Sequence, residues 1–314
     1  MTARAVPAAL AFLLSAGLLH AADSALLNLM MPDAKVVAGV NVDQAISSPF
    51  GQFLLSQLPN NDPGLAKLMA ATGFDPRRDL HEILTGTDAQ EHGLVLAKGT
   101  FDTALIFTAA QAAGQTVDTY NGVQVLTGKS NSHAHGLAFL GDTIAIAGDL
   151  ESVHGAIDRR SATGTSIDAA LASQVQQLSG SFDAWSISML PLSALSNQIG
   201  SGGNLNGILN SDLLKTIQQT SGGVKFGDVI QISAQAVSNS SQNATALADV
   251  VRFLVNMVSA EAPASSASAI SAILQNLNVQ ADGNNVDVTL AIPEQQLENL
   301  VRTEEQSEKS NHKL

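Results

Sequence analysis

Residues Thr116–Ala147 read TVDTYNGVQVLTGKSNSHAHGLAFLGDTIAIA, and this stretch predicts an antiparallel sheet. Its Asn121-Gly122 pair is the dipeptide that a two-residue hairpin turn prefers, because both central positions need positive φ. Strands are predicted on either side, at Thr116–Tyr120 and Val123–Thr127. A second hairpin, Gly136–Leu140 with Thr143–Ala147, is predicted around Gly141-Asp142. The segment between the two, Ser130–His135, reads as a connection.

Working outward, helices and further strands flank this region. Upstream, Lys35–Val42 is a Val-rich strand and His92–Lys98 a buried one. Helices are predicted over Pro49–Leu58, Gly64–Ala71 and Phe101–Ala113, the last capped by Thr100 and closed by Gly114. Asp75-Pro76 starts another helix, with the Pro at its first position and His81 on its surface. Downstream, Asp149 caps a helix to Arg159 whose Leu150, Val153 and Ile157 face inward.

The second half repeats the order. Ala184–Leu190 matches Lys35–Val42, and Val229–Val237 matches His92–Lys98. Helices are predicted near Pro191–Ile199 and Ser211–Thr220. A longer one follows Asn243, with Leu247, Val250, Val251, Leu254, Val255 and Val258 on one stripe. After a helix near Ser268–Leu277, Val279–Ala281 and Val286–Ile292 flank an Asp282-Gly283-Asn284 turn. The expected class is α+β: two similar halves from an internal duplication, each a mainly antiparallel sheet with helices packed on one face. The halves are placed at residues 23–165 and 166–301, followed by a disordered polar tail at 302–314.

Residues 1–22 have the layout of a secretory leader. Arg4 precedes an apolar run, Ala5–Leu19, and Ala21-Ala22 offer small side chains before Asp23. The run is shorter than the ~20 residues a membrane span needs. Cleavage is expected after Ala21 or Ala22, which places the mature protein in the periplasm or outside the cell with no integral span. The chain has 314 residues and a net charge of −13, and loss of Arg4 leaves the mature chain more acidic by a single charge. Such a surface repels nucleic acid and anionic lipid headgroups. The absence of cysteine removes a disulfide frame, a thiolate metal site, a cysteine nucleophile and a lipidated N-terminal cysteine. Aromatic residues make up only 4%, with Trp185 and Tyr120 the sole members of their kinds, which argues against a carbohydrate or single-strand platform.

The chemistry-bearing candidates are few. His133 and His135, two apart, would point the same way in a strand and could share a metal ion. A zinc site needs a third ligand, and none is visible at a suitable spacing. His81 and His92 are too far apart for the helical zinc-protease pattern. Gly128-Lys129-Ser130 lacks the Gly that a phosphate loop requires five positions earlier, and no serine-nucleophile motif is present. His154, beside Val153, is expected to be half-buried.

Gly73-Phe74-Asp75-Pro76-Arg77-Arg78-Asp79-Leu80 is the most distinctive string. Arg77 and Arg78 stand out in an acidic chain, either as an anion or partner contact or as turn residues paired with Asp75 and Asp79. This string, the Val-rich strand before it and the Gly148-Asp149 helix start loosely resemble uncharacterised exported bacterial proteins. That resemblance covers roughly the first half; it implies an exported α+β protein and brings no activity or site residues. The function expected is therefore a non-enzymatic exported binding protein. Its partner would be another envelope protein or a small apolar ligand, in a chain that can also form a homo-oligomer. No cofactor is implied. The alternatives are a metal-assisted hydrolase using His133 and His135, and an architectural envelope protein.

Overall fold

A computed structural model describes residues 22–57, 63–130, 133–191, 212–261, 267–299 and 302. Nearly all of the leader, the helix expected at 191–199 and nearly all of the polar tail lie outside the described residues. The fold is α+β, built on one twelve-stranded sheet that is antiparallel throughout.

The first half supplies α1 (Ser24–Leu29), β1 (Val36–Asn41), α2 (Val42–Ser47), α3 (Pro49–Gln57), α4 (Pro63–Thr72) and α5 (Pro76–Asp79). It continues with β2 (Leu80–Thr87), β3 (Gly93–Gly99), α6 (Thr103–Ala112), β4 (Thr116–Tyr120) and β5 (Val123–Ser130). It ends with β6 (His133–Leu140), β7 (Ile144–Asp149) and α7 (Leu150–Arg159). The second half supplies α8 (Ala169–Ser181), β8 (Ala184–Ser188), β9 (Ile217–Lys225) and β10 (Val229–Ser238). Then come α9 (Ser241–Glu261), α10 (Ala267–Leu274), β11 (Leu277–Asp282) and β12 (Asn285–Pro293).

The strand order is β11-β12-β10-β9-β8-β1-β2-β3-β7-β6-β5-β4. β1 and β8 pair at the junction, Val37 opposite Ile187 and Gly39 opposite Trp185. Going out from that pair, β8, β9, β10, β12 and β11 follow the order of β1, β2, β3, β7 and β6. The two halves thus share a single sheet instead of each closing on its own.

Registers and burial show which face each helix covers. Val37, Leu84, Leu94, Leu96, Val125, Ala138 and Ile146 line one face of the first half and are almost completely buried. They meet Leu26 and Met30 of the α1 region, Val153 and Ile157 of α7, and Leu171 and Val175 of α8 in one core. Each buried Val, Leu, Ile or Met among them contributes about 1.5–3 kcal/mol by leaving water. The opposite face carries α6, where Phe107 meets Phe139 edge-on at 5.8 Å and Phe101 lies 5.3 Å from Phe139. The first half therefore carries helices on both faces, one layer more than expected. Its strands have apolar residues at successive positions, as Val36-Val37 and Leu94-Val95-Leu96 do, so apolar side chains point to both faces.

In the second half α9 and α10 cover one face, burying Leu247, Ala248, Ile273, Val279 and Val286. Phe50 and Phe53 of α3 reach the same face and join Ile230. The other face shows Ser221, Ser233, Gln235, Asp287 and Thr289 in facing registers.

Two strands replace predicted helices. β2 begins at Leu80, so the helix after Pro76 is a single turn and His81 lies in a strand. β9 takes the end of the helix predicted at Ser211–Thr220 and runs on to Lys225, leaving only a 3-10 turn at Leu214–Thr216. Both predicted hairpins form, with Asn121 and Gly122 at φ 46° and 80°. Asp102, not Thr100, caps α6 by accepting from the Leu105 amide at 2.9 Å.

Candidate functional site

A charged cleft lies where the β2–β3 turn faces α7. The turn is organised by Asp88, whose side chain is buried. Its Oδ1 accepts from the backbone amides of Gln90 at 2.8 Å and His92 at 2.9 Å. Its Oδ2 meets His92 Nδ1 at 2.7 Å. Glu91 between them takes φ 69°, a left-handed conformation that the tight turn imposes. Burial pushes the Asp88 carboxyl up, but the hydrogen bonds from the His92 ring and the two amides outweigh it and hold it below its ordinary value. Asp88, with smaller help from Asp149 and Glu151, raises the His92 imidazole.

The facing wall is α7. Arg159 there donates to the Leu29 carbonyl at 2.9 Å, and burial lowers its guanidinium's pKa. Asp33, Glu151 and Ser152 complete a cleft of about 370 Å³. An aspartate that orients a histidine is half of a nucleophilic triad. Here the pair orders the β2–β3 turn, and Ser152 makes no hydrogen bond to His92 among the described residues.

His133 and His135 begin β6, where the sequence suggests a connection. His135 is exposed and its Nδ1 lies 3.8 Å from Asp149 Oδ1. The His133 side chain lies outside the described residues. Among the described residues, no three His, Asp or Glu side chains are placed to hold a metal ion.

Arg77 and Arg78 are engaged locally. Arg77 forks onto Asp75 with two bonds of 2.9 Å, and Arg78 onto Asp79 with two of 2.7 Å. Asp75 also caps the turn at the Arg77 amide, while Asp79 accepts from the Asp75 amide at 2.8 Å. The arginine hydrogen bonds come first in holding both carboxyls below their ordinary values. His154 is half-buried, stacked on Tyr120 with ring centroids 3.8 Å apart.

A polar cleft of about 290 Å³ lies beside α8, over the uncovered sheet face, and includes Gln174, Gln219, Ser221, Gln235 and Asp287. Its groups bond one another: Gln219 donates to Gln174 at 3.1 Å and Gln235 to Asp287 at 2.7 Å.

The apolar helices offer a different surface. α6 contains Leu105, Ile106 and Phe107, yet none of its residues is buried. α9 buries Ala244, Leu247 and Ala248, but from Asp249 to Ala260 no residue is buried. Phe253 is 60% exposed, Val258 51% and Leu105 41%. Val95, on the sheet face that α6 shares, is 41% exposed. The stripe from Leu247 to Val258 was legible, but Phe253 lies off it. The available signal was a large apolar residue on the helix side that should be polar. The Asp88–His92 pair was also missed, and its only mark is an i,i+4 spacing inside a turn.

No family model matches the chain, and no curated protein matches it. Among solved structures, TP0453 in crystal form III aligns with a TM-score of 0.55 at 8% identity, over 89% of this chain and 97% of that one. Crystal form I of the same protein aligns at 0.51 and 10% identity with the same coverage. The likeness is one of fold.

Proposed function

We propose that this is a non-enzymatic exported binding protein of the bacterial envelope. In this reading the incompletely buried apolar helices α6 and α9, each near its own end of the sheet, offer surfaces that receive another envelope protein or a small apolar ligand. The observation that carries it is the state of α6 and the second half of α9: apolar in sequence, folded as helices, and without a buried residue. Soluble monomers rarely expose contiguous apolar patches beyond a few hundred Å² unless something covers them. Export is supported by the leader layout at residues 1–22. No helix among the described residues is long and apolar enough to cross a membrane.

The test uses purified mature protein, an environment-sensitive apolar dye, and sedimentation velocity. Wild type should bind the dye or self-associate. Phe253→Asp with Val258→Asp should weaken either response at least about tenfold, since each removed apolar contact is worth about 1–2 kcal/mol. A wild-type monomer that binds no dye refutes the reading.

A further inference from the structure

We propose that the cleft between the β2–β3 turn and α7 binds an α-amino acid, with Arg159 on its carboxylate and with Asp33 and Glu151 on its ammonium group. This site is separate from the apolar helices α6 and α9, so it is tested apart from the apolar-surface reading.

Arg159 is the positive pole. Its Nε and Nη2 both donate to the Leu29 carbonyl, at 3.3 and 2.9 Å, which leaves Nη1 without a hydrogen-bond partner among the described residues. The guanidinium makes no ion pair among them either, although it is half-buried. The neighbouring acid, Asp158, accepts from Tyr120 and Asn121 instead. Gly155 makes room for the group. A Cβ there would lie 3.0 Å from Arg159 Nη1 and 3.7 Å from Cζ, so the guanidinium lies back along the helix over a bare position. Glycine inside a helix weakens it relative to Ala. Here the missing side chain leaves the space that Arg159 occupies.

Asp33 and Glu151 are the negative pole. Both are exposed, and neither carboxylate makes a hydrogen bond or ion pair among the described residues. Glu151, Gly155 and Arg159 recur every fourth residue and share one face of α7. Glu151 and Arg159 therefore start about 12 Å apart along the axis, and they do not pair. Asp33 acts on Arg159 through its field without touching it. Asp88 is not available, because both of its oxygens bond within its own turn.

One cleft thus carries unpaired charges of both signs, held apart by the fold. A simple anion satisfies Arg159 and is repelled by Asp33 and Glu151; a simple cation meets the reverse. A zwitterion satisfies both poles. The guanidinium fork matches a carboxylate, and charge-assisted hydrogen bonds are about twice as strong as neutral ones. At about 370 Å³ the cleft is near the lower end of small-molecule sites, which suits a ligand of amino-acid size.

The experiment is isothermal titration calorimetry on the purified full chain. The probes are the coded α-amino acids, with propionate and ethylamine as single-charge controls. At least one amino acid should bind with a Kd of about 1 mM or tighter, and both controls at least about tenfold more weakly. Asp33→Asn with Glu151→Gln should weaken the amino acid about tenfold or more and leave propionate unchanged or tighter. Arg159→Gln should weaken both about tenfold. Because Arg159 also holds Leu29, Gly155→Ala supplies a second variant. Its Tm should stay within about 2 °C of wild type, while the displaced guanidinium weakens amino-acid binding at least about threefold. Failure of every coded amino acid to bind below about 10 mM overturns the proposal. So does propionate binding as tightly as the best amino acid, which marks a plain carboxylate site. An affinity that either the double carboxylate variant or Gly155→Ala leaves unchanged overturns it as well.

Discussion

Substituting Gly39 by Ala should destabilise the junction between the two halves, and the sign of the effect can be worked out from the geometry. A Cβ on Gly39 would lie 2.6 Å from Trp185 Cζ2, 2.7 Å from Cε2 and 2.9 Å from Nε1. Ordinary contact begins at 3.4 Å, so the indole must retreat by about 0.8 Å. Trp185 is only 6% exposed and belongs to the main core, so the ring has little room to move. Overpacking of this kind costs about 1–3 kcal/mol. It opposes the gain of about 0.5–1 kcal/mol that Ala brings over Gly within a strand. The first effect is the larger, and at about 2–4 °C per kcal/mol the Tm should fall by several degrees. Trp185 is the sole tryptophan, so its emission reports the displacement directly. In a Trp185→Leu background the same Gly39→Ala change should be neutral or mildly stabilising. A Tm that rises in the wild-type background, with unchanged tryptophan emission, refutes the packing argument.

Other substitutions separate structural from surface roles. Asp88→Ala leaves two turn amides without their acceptor and should cost about 1–3 kcal/mol in chemical denaturation. The pH course of the Asp88–His92 pair has two arms. The lowered Asp88 carboxyl contributes stability above its unfolded pKa of about 3.9, lost as pH falls through the folded value. The raised His92 contributes below about 6.5, lost as pH rises through its folded value. Melts from acid to neutral pH should therefore show the pair's contribution greatest at about pH 4–6.5, and Asp88→Asn should remove both arms. Asp79→Ala, which deletes the acceptor of the Asp75 amide, should cost about 1–3 kcal/mol. Arg77→Ala should stay within about 0.5 kcal/mol, because its pair with Asp75 is solvent-facing. Equal losses for these two would contradict the assignment. Phe253→Asp should leave the Tm nearly unchanged while reducing dye binding, since that ring is 60% exposed.

The hairpins were legible because their turns need particular residues, as Asn121-Gly122 shows. The helix starts at Pro49 and Asp149 were legible for a similar reason, although Asp149 uses its carboxylate on the Gly93 amide at 2.6 Å and not as a cap. β9 was hidden because its sequence, Gln218-Gln219-Thr220-Ser221-Gly222-Gly223, has little apolar content. One of its faces looks to water. On the other, a Cβ at Gly222 would lie 2.4 Å from the Ser233 carbonyl oxygen, so the strand must be bare there. β2 was hidden by its neighbour, since Asp75-Pro76 announces a helix that lasts only one turn. The Asp88–His92 cleft was not legible, because its two walls come from segments about sixty residues apart in sequence. The apolar stripe of α9 was visible, but the exposure of Val258 at its far end depends on tertiary packing, which no local pattern records.

The pairing of β1 with β8 has a consequence for fragments of this protein. Each half, produced alone, would carry a raw central edge in place of its natural neighbour, and raw edges recruit other strands. Because β1 meets β8 antiparallel and the strands beyond them follow the same order, a copy of the first half is the nearest available substitute for the second. Half-length chains should thus associate in pairs about a two-fold axis normal to the sheet, rebuilding as a symmetric dimer what the complete polypeptide achieves by itself.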